Sequence, residues 1–205
     1  MTRAAYEAVL CDIDGVLRLW DPAPLRALER EFGLDDGALA RAAFAPHRLT
    51  PAVTGAVTDA QWRAGVAADL TEGCGSRERA AALVARWSAL RPEVDTGVLA
   101  LLNAVRQRAR VVLVSNATTR LEEELHALGL ADAADAVISS SRLGVAKPDP
   151  AIYSAAAAAA QVPLDACLFV DDTAANVEAA RGLGMAGLHY TGAEALRDVL
   201  SSLLA

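Results

Sequence analysis

Five short apolar runs punctuate the chain, at residues 8–12, 111–115, 136–140, 168–171 and 187–190. Each is too short for a buried helix and shows little polar alternation, so each predicts a strand covered on both faces. Helical periodicity spans 96–108, 119–128, 149–161, 174–183 and 193–204, filling the spaces around the later strands. The 149–161 segment includes six consecutive alanines, Ala155 to Ala160, a strong helix former. Regular alternation of continuous apolar strands with helices predicts an α/β fold, a doubly wound parallel sheet. The interval between the first two strands departs from this rhythm. About 95 residues there contain nothing strand-like, and helices are expected at 25–32, 36–44, 59–69 and 76–90. Thr58 before Asp59, and Ser76 before Arg77-Glu78, are start signals for the last two. The pattern divides the chain into a core, 1–17 with 93–205, and an inserted helical cap, 18–92. The insert is too large for a loop and too small for most independent domains, and it reads as a lid.

Polar residues gather where the apolar runs stop. The first run ends in Asp12-Ile13-Asp14-Gly15, two acids one residue apart before a glycine that must turn the chain. The second ends in Ser115-Asn116, a hydroxyl and an amide at a strand-to-helix junction suited to an anion. Gly144-Val145-Ala146-Lys147-Pro148 brings a lysine to a helix start, and the 168–171 run ends in a second acid pair, Asp171-Asp172. Each alone has an ordinary explanation: an Asp-Gly turn, a helix cap, a surface lysine. Together, in order and each at the carboxyl end of a strand, they occupy the edge where parallel sheets place ligands. Carboxylates in an oxygen-rich setting call for Mg²⁺, and the lysine and serine call for a phosphate.

Composition narrows the partners. Hydrophobic residues make up 54% of the chain and charged residues 22%, the balance of an ordinary globular protein. No apolar run approaches the ~20 residues of a membrane span. The N-terminus, Met1-Thr2-Arg3-Ala4-Ala5-Tyr6-Glu7, lacks a secretion signal's apolar core. Cys11, Cys74 and Cys167 are odd in number and scattered, which fits a reducing cytoplasm without disulfides. A net charge of −7 argues against nucleic acid or an anionic membrane as partner. All 19 basic residues but one are arginine, and the exception is Lys147. One compact ammonium kept in an arginine-using chain marks that position for charge neutralisation.

Asp12-Ile13-Asp14-Gly15-Val16-Leu17, Ser115-Asn116, Lys147-Pro148 and Asp171-Asp172 resemble the four ordered motifs of the haloacid dehalogenase-like hydrolase superfamily. An insert directly after the first motif resembles its helical-cap subgroup. Leu90-Arg91-Pro92-Glu93-Val94, Asp171 to Glu178 and Gly182-Leu183-Gly184-Met185 resemble the sugar-phosphate and other small-metabolite phosphatases. The resemblance implies strand order 3-2-1-4-5. It makes Asp12 the nucleophile that forms an aspartyl-phosphate, and Asp14 the acid that protonates the leaving oxygen and then activates water. Ser115 and Asn116 would hold phosphoryl oxygens and Lys147 would neutralise charge. Mg²⁺ would be held by Asp12, the Asp14 backbone carbonyl and Asp172, with Asp171 binding it directly or through water. A halide needs no proton to leave, so Asp14 points to phosphate esters rather than dehalogenation. A phosphomutase or haloacid dehalogenase-type hydrolase, and a catalytically silent binding or regulatory protein on the same fold, stand as alternatives. The expected substrate is a small phosphorylated metabolite and the expected assembly a monomer or homodimer. Within the insert, Trp20, Phe44, His47, Arg48 and Trp62 are candidates to face the site. His47 and Arg48 are the expected substrate contacts, and Trp62 is expected to pack in the cap.

Overall fold

The computed structural model describes residues 6–204. Residues 1–5, on which most of the N-terminal reading falls, and Ala205 lie outside them. Strand β1 (Ala8–Cys11) leads through β2 (Arg18–Leu19) into helices α1 (Pro22–Glu31), α2 (Ala38–Ala43), α3 (Pro46–Val53), α4 (Asp59–Asp69), α5 (Thr71–Cys74) and α6 (Arg77–Ser88). The chain returns through β3 (Glu93–Val94) and continues as α7 (Thr96–Val105), β4 (Arg110–Ser115), α8 (Leu121–Ala127), β5 (Ala136–Ser139), α9 (Ser140–Leu143) and α10 (Pro150–Ala160). It closes with β6 (Cys167–Asp171), α11 (Ala174–Gly182), β7 (Ala186–His189), α12 (Ala193–Val199) and α13 (Ser201–Leu204).

The large sheet runs β5-β4-β1-β6-β7 with every pairing parallel. Counted along its own five strands, this is the order 3-2-1-4-5. Strand alternation sorts the apolar residues into two layers. Val9, Cys11, Val111, Leu113, Leu168 and Val170 pack with α7, α8 and the C-terminal helices. Ala8, Leu10, Val112, Val114 and Phe169 pack on the opposite face against α10 and α11. In the second layer Tyr153 meets Phe169 edge-to-face at 5.0 Å between ring centres. Helices begin where their sequences offer caps. Asp95 accepts from Val98 N–H, Asp149 from Ala151 N–H ahead of Pro150, and Thr58 forms a reciprocal capping box with Gln61.

The helical insert has its own apolar cluster, built on Leu28, Leu39, Trp62, Val66, Leu83 and Val84. Glu29 has no exposed surface and accepts from the backbone N–H groups of Gly37 and Leu39, both at 2.8 Å. That carboxylate closes the turn that starts α2, a task no spacing in the sequence announces. Against expectation, the interval between the first two core strands is not free of strands. β2 and β3 pair antiparallel, Arg18 opposite Val94 and Leu19 opposite Glu93, forming a two-stranded ribbon where the insert leaves and rejoins the core. Two residues per strand are too few to show a period. Helix α3 also departs from expectation, because Pro46 and Pro51 within it read as breakers. The expected 193–204 helix is interrupted at Leu200, before Ser201-Ser202, while Leu196, Leu200 and Leu203 remain buried in one cluster.

Candidate active site

Parallel register brings the strand ends together. Cys11 stands opposite both Leu113 and Val170, and Asp12 N–H bonds to the Val170 carbonyl at 2.8 Å. Asp12, Ser115 and Asp171 therefore emerge side by side at the carboxyl edge. A cavity of about 600 Å³ opens there, lined by Asp12, Asp14, Gly15, Ser115, Asn116, Lys147, Asp172 and Asn176, together with Phe44 and Thr173. A second hollow of about 480 Å³ lies at the amino ends of β1 and β4, among Tyr6, Arg106, Arg108 and Arg110. It holds none of the aspartates that end the strands, which gather at the carboxyl edge.

Lys147 is the centre of the buried part of the site. Its ammonium is 2.8 Å from Asp12 Oδ1 and 2.7 Å from Asp171 Oδ2, and it donates to the Val114 carbonyl at 3.1 Å. Asn116 fixes the lysine's backbone at both ends, accepting from Lys147 N–H at 2.7 Å and donating to its carbonyl at 2.9 Å. Asn116 is therefore a splint for the lysine loop as well as a cavity wall. Burial pulls the Lys147 ammonium down, but the two carboxylates outweigh it and hold the lysine charged above its ordinary range. Burial, with Asp171 nearby, pushes Asp12 up to about 7 against the opposing pull of Lys147. Asp12 Oδ1 accepts from Ile13 N–H at 2.7 Å as well as from Lys147.

The second acid pair divides its work. Asp171 has no exposed surface, and both its oxygens are engaged. Oδ1 accepts from Thr173 N–H at 2.8 Å and Oδ2 from Lys147, while the Asn176 amide lies 3.1 Å from each. Asp172 is exposed and nearer the cavity. Ligand oxygens of Asp12, Asp171 and Asp172 all lie within 4.8 Å of one another. Hard carboxylate oxygens in that arrangement suit a small divalent cation such as Mg²⁺. Gly15 makes the approach possible. A Cβ at Gly15 would stand 2.0 Å from Asp172 Oδ2, and its φ of +82° is costly for other residues.

Asp14 faces another way. Arg18 forks onto it, Nε to Oδ1 at 2.8 Å and Nη2 to Oδ2 at 2.7 Å, and the Trp20 indole N–H donates to Oδ1 at 2.7 Å. Its carboxylate is outside the three-acid cluster. Arg18, almost wholly buried, also donates to Glu124 Oε2 at 2.8 Å. Glu124 in turn meets Arg120 at 2.9 Å, and Arg120 donates to the Ser88 hydroxyl at 2.6 Å and its carbonyl at 3.1 Å. Asp59 adds a second tie between insert and core, accepting from the Thr118 hydroxyl at 2.8 Å and receiving the Thr119 hydroxyl on its N–H side, where Asp59 N–H donates at 3.0 Å. Sequence reasoning missed Arg18, Glu124 and Arg120, which are scattered along the chain and share no motif.

The structure does not bring His47 and Arg48 to the cavity. Arg48 forks onto Asp69 with both bonds at 2.7 Å, and His47 lies 3.7 Å from the same carboxylate. Adjacent on α3, they turn together toward Asp69 at the end of α4, which pairs with Arg48. Trp62 packs in the insert's core as expected. Its indole donates to the Ala43 carbonyl at 3.0 Å, and its ring meets Trp87 at 5.3 Å. Phe44 is the insert residue that lines the cavity among those described.

Known proteins fit this architecture. The family described as haloacid dehalogenase-like hydrolase matches residues 6–184. Over 88 residues the chain is 41% identical to a Mycobacterium tuberculosis protein named as a phosphatase, a stretch covering 42% of this chain and 41% of that one. It is 35% identical over 106 residues to the bovine (Bos taurus) haloacid dehalogenase-like hydrolase domain-containing protein 3, covering 51% of this chain and 42% of the relative. The matched stretches thus span well under half of either relative. A HAD family enzyme from Bacteroides thetaiotaomicron, crystallised as a magnesium complex, shares the fold with a TM-score of 0.72. Its identity is 21%, over 91% of this chain and 93% of that one, a likeness of fold alone.

Proposed function

The chain belongs to the haloacid dehalogenase-like hydrolases, and we propose that within that family it is a Mg²⁺-dependent phosphatase of small phosphorylated metabolites. The observation that carries this reading is Asp12: buried, lining the cavity, bridged to Lys147 and within reach of Asp172. Asp12 Oδ2 attacks phosphorus and the ester P–O bond breaks, leaving an aspartyl-phosphate. The departing alkoxide takes the proton of the Asp14 carboxyl. Water then attacks the same phosphorus, Asp14 accepts its proton, and Asp12 is released with inorganic phosphate. Lys147 balances the charge of Asp12 while a second anion approaches, and Ser115 with the backbone at Asn116 holds phosphoryl oxygens. Mg²⁺ would be held by Asp12, Asp172 and the Asp14 carbonyl, where it supplies electrostatic stabilisation of the phosphoryl group. Asp171, its oxygens engaged, orients Lys147 from behind. For Asp14 to reach the leaving oxygen, its carboxyl must turn from the Arg18 fork toward the cavity.

Asp14 favours this reading over a dehalogenase, because a halide needs no acid. The three free, buried cysteines suit a reducing compartment such as the cytoplasm, and among the described residues no helix is long and apolar enough to cross a membrane. The residues 18–92 would act as a cap over the site. Phosphate release from an aryl phosphate should require Mg²⁺, stop with EDTA, and fall by about 10³-fold or more in Asp12→Asn. Turnover that persists in either condition overturns the reading.

A further inference from the structure

Resting on the phosphatase reading, we infer that this site takes monoesters whose leaving group is uncharged and presents a flat aromatic or apolar face. Three observations converge. First, the cavity's polar residues all come from the core, where each has a task toward phosphate, metal or lysine. Among the described residues its one wall from the insert is Phe44, which keeps 54% of its surface exposed. Second, Trp20, 46% exposed, holds its indole N–H against Asp14 Oδ1 at 2.7 Å. Asp14 lines the cavity, so the indole bonded to it stands beside that opening. A large apolar side chain left half in water beside a polar cavity is a ready contact for a planar ligand.

Third, the insert's cations near the cavity are already bonded: Arg18 to Asp14 and Glu124, Arg48 to Asp69, Arg63 to Asp59, and Arg41 to the Asp36 carbonyl. A leaving group bearing a carboxylate or a second phosphate would enter beside Asp12, Asp14 and Asp172, where the cationic side chain of the lining, Lys147, is already bonded to Asp12 and Asp171. A neutral ring, in contrast, exchanges water for the Phe44 and Trp20 faces.

The test compares three esters whose alcohols are all primary: 2-phenylethyl phosphate, n-butyl phosphate and phosphoglycolate, each with Mg²⁺ and the full chain. The first two differ little in leaving-group acidity, so their ratio reports contact rather than chemistry. Expected is a kcat/KM about tenfold higher for the phenylethyl than for the butyl ester, with phosphoglycolate lowest. In Phe44→Ala the phenylethyl-to-butyl ratio should fall severalfold toward one, while Phe44→Leu, which keeps an apolar face, should fall less. Phe44 is half exposed, so both variants should fold, as thermal melting would verify. Equal ratios in wild type and Phe44→Ala, or phosphoglycolate as the best substrate, overturn the inference and leave the phosphatase reading intact. Hydrolysis of none of the three, nor of an aryl phosphate, overturns the phosphatase reading and this inference with it.

Discussion

At the scale of the residue, one ammonium serves two buried carboxylates. Lys147 holds Asp12 at 2.8 Å and Asp171 at 2.7 Å, with side-chain exposures of 2%, 9% and 0%. Removing one partner from such a group leaves charge buried without compensation. Asp12 already sits near 7, so between the ordinary carboxylate range and that value the folded protein keeps a proton that the unfolded chain has released. Each such proton makes stability fall as pH rises. Lys147 opposes the rise in Asp12, so Lys147→Met should push Asp12 higher and extend the falling window upward. In EDTA, Lys147→Met should cost about 3–5 kcal/mol at pH 8 and visibly less at pH 5, where Asp12 can take up a proton. Thermal unfolding at both pH values measures this, and an equal loss at both would make Lys147 a packing residue. The sequence exposed this lysine plainly, because it is the only one in the chain. It did not expose how Asp171 is spent, since its partners Thr173 and Asn176 declare themselves only once α11 starts beside β6.

At the scale of the element, the ribbon of β2 and β3 is where the chemistry meets the insert. Arg18 lies on β2, forks onto Asp14, and hands its remaining nitrogen to Glu124 on α8. Through Arg120 the chain of charges reaches Ser88 at the end of α6 and comes within 3.9 Å of Asp59 on α4. The position of Asp14 is thereby tied to the seating of the insert. Glu124→Gln keeps the shape but removes the negative charge between two arginines. It should lower stability by about 2 kcal/mol, or about 4–8 °C in Tm, a partly exposed network being worth less than a fully buried pair. It should also alter alkyl-phosphate turnover more than aryl-phosphate turnover, because a poor leaving group depends more on where Asp14 stands. Parallel kinetics on the two ester classes would measure this, and equal effects on both would confine Glu124 to stability. Long apolar strands and capped helices were legible because their signals are local: β1, β4 and β6 fall within a residue or so of expectation, and α4 coincides with it. The ribbon was not, because two-residue strands are fixed by pairing across about 75 intervening residues rather than by any period.

At the scale of the whole molecule, two bodies with separate apolar clusters share few contacts. The sheet and its helices hold two clusters, the insert holds a third, and no buried residue belongs to more than one. What joins them is the ribbon, the Arg120–Ser88 and Asp59–Thr118 bonds, and a close approach in which a Cβ at Gly55 would stand 2.1 Å from the Ser141 carbonyl oxygen. Tightly packed interiors resist deformation, whereas a two-residue ribbon and a handful of polar bonds yield at low cost. The cavity lies at the seam, with nine core residues and Phe44 from the insert. This explains why the sequence chose His47 and Arg48 for substrate contact while the fold presents Phe44. Polar residues advertise themselves in a sequence, but which side of a small helix meets a neighbouring body is decided by packing. A bound ligand that touches both sides of the seam should draw them together, excluding water from Asp12 and Asp14. Crystals of Asp12→Asn with a phosphate ester and of the free protein should therefore differ by a rotation of residues 22–88 against the sheet, centred on β2 and β3. Each body should superpose on itself with Cα deviations below about 1 Å. Rearrangement within the insert, or an identical orientation in both crystals, would mean that residues 18–92 wall the site without closing it.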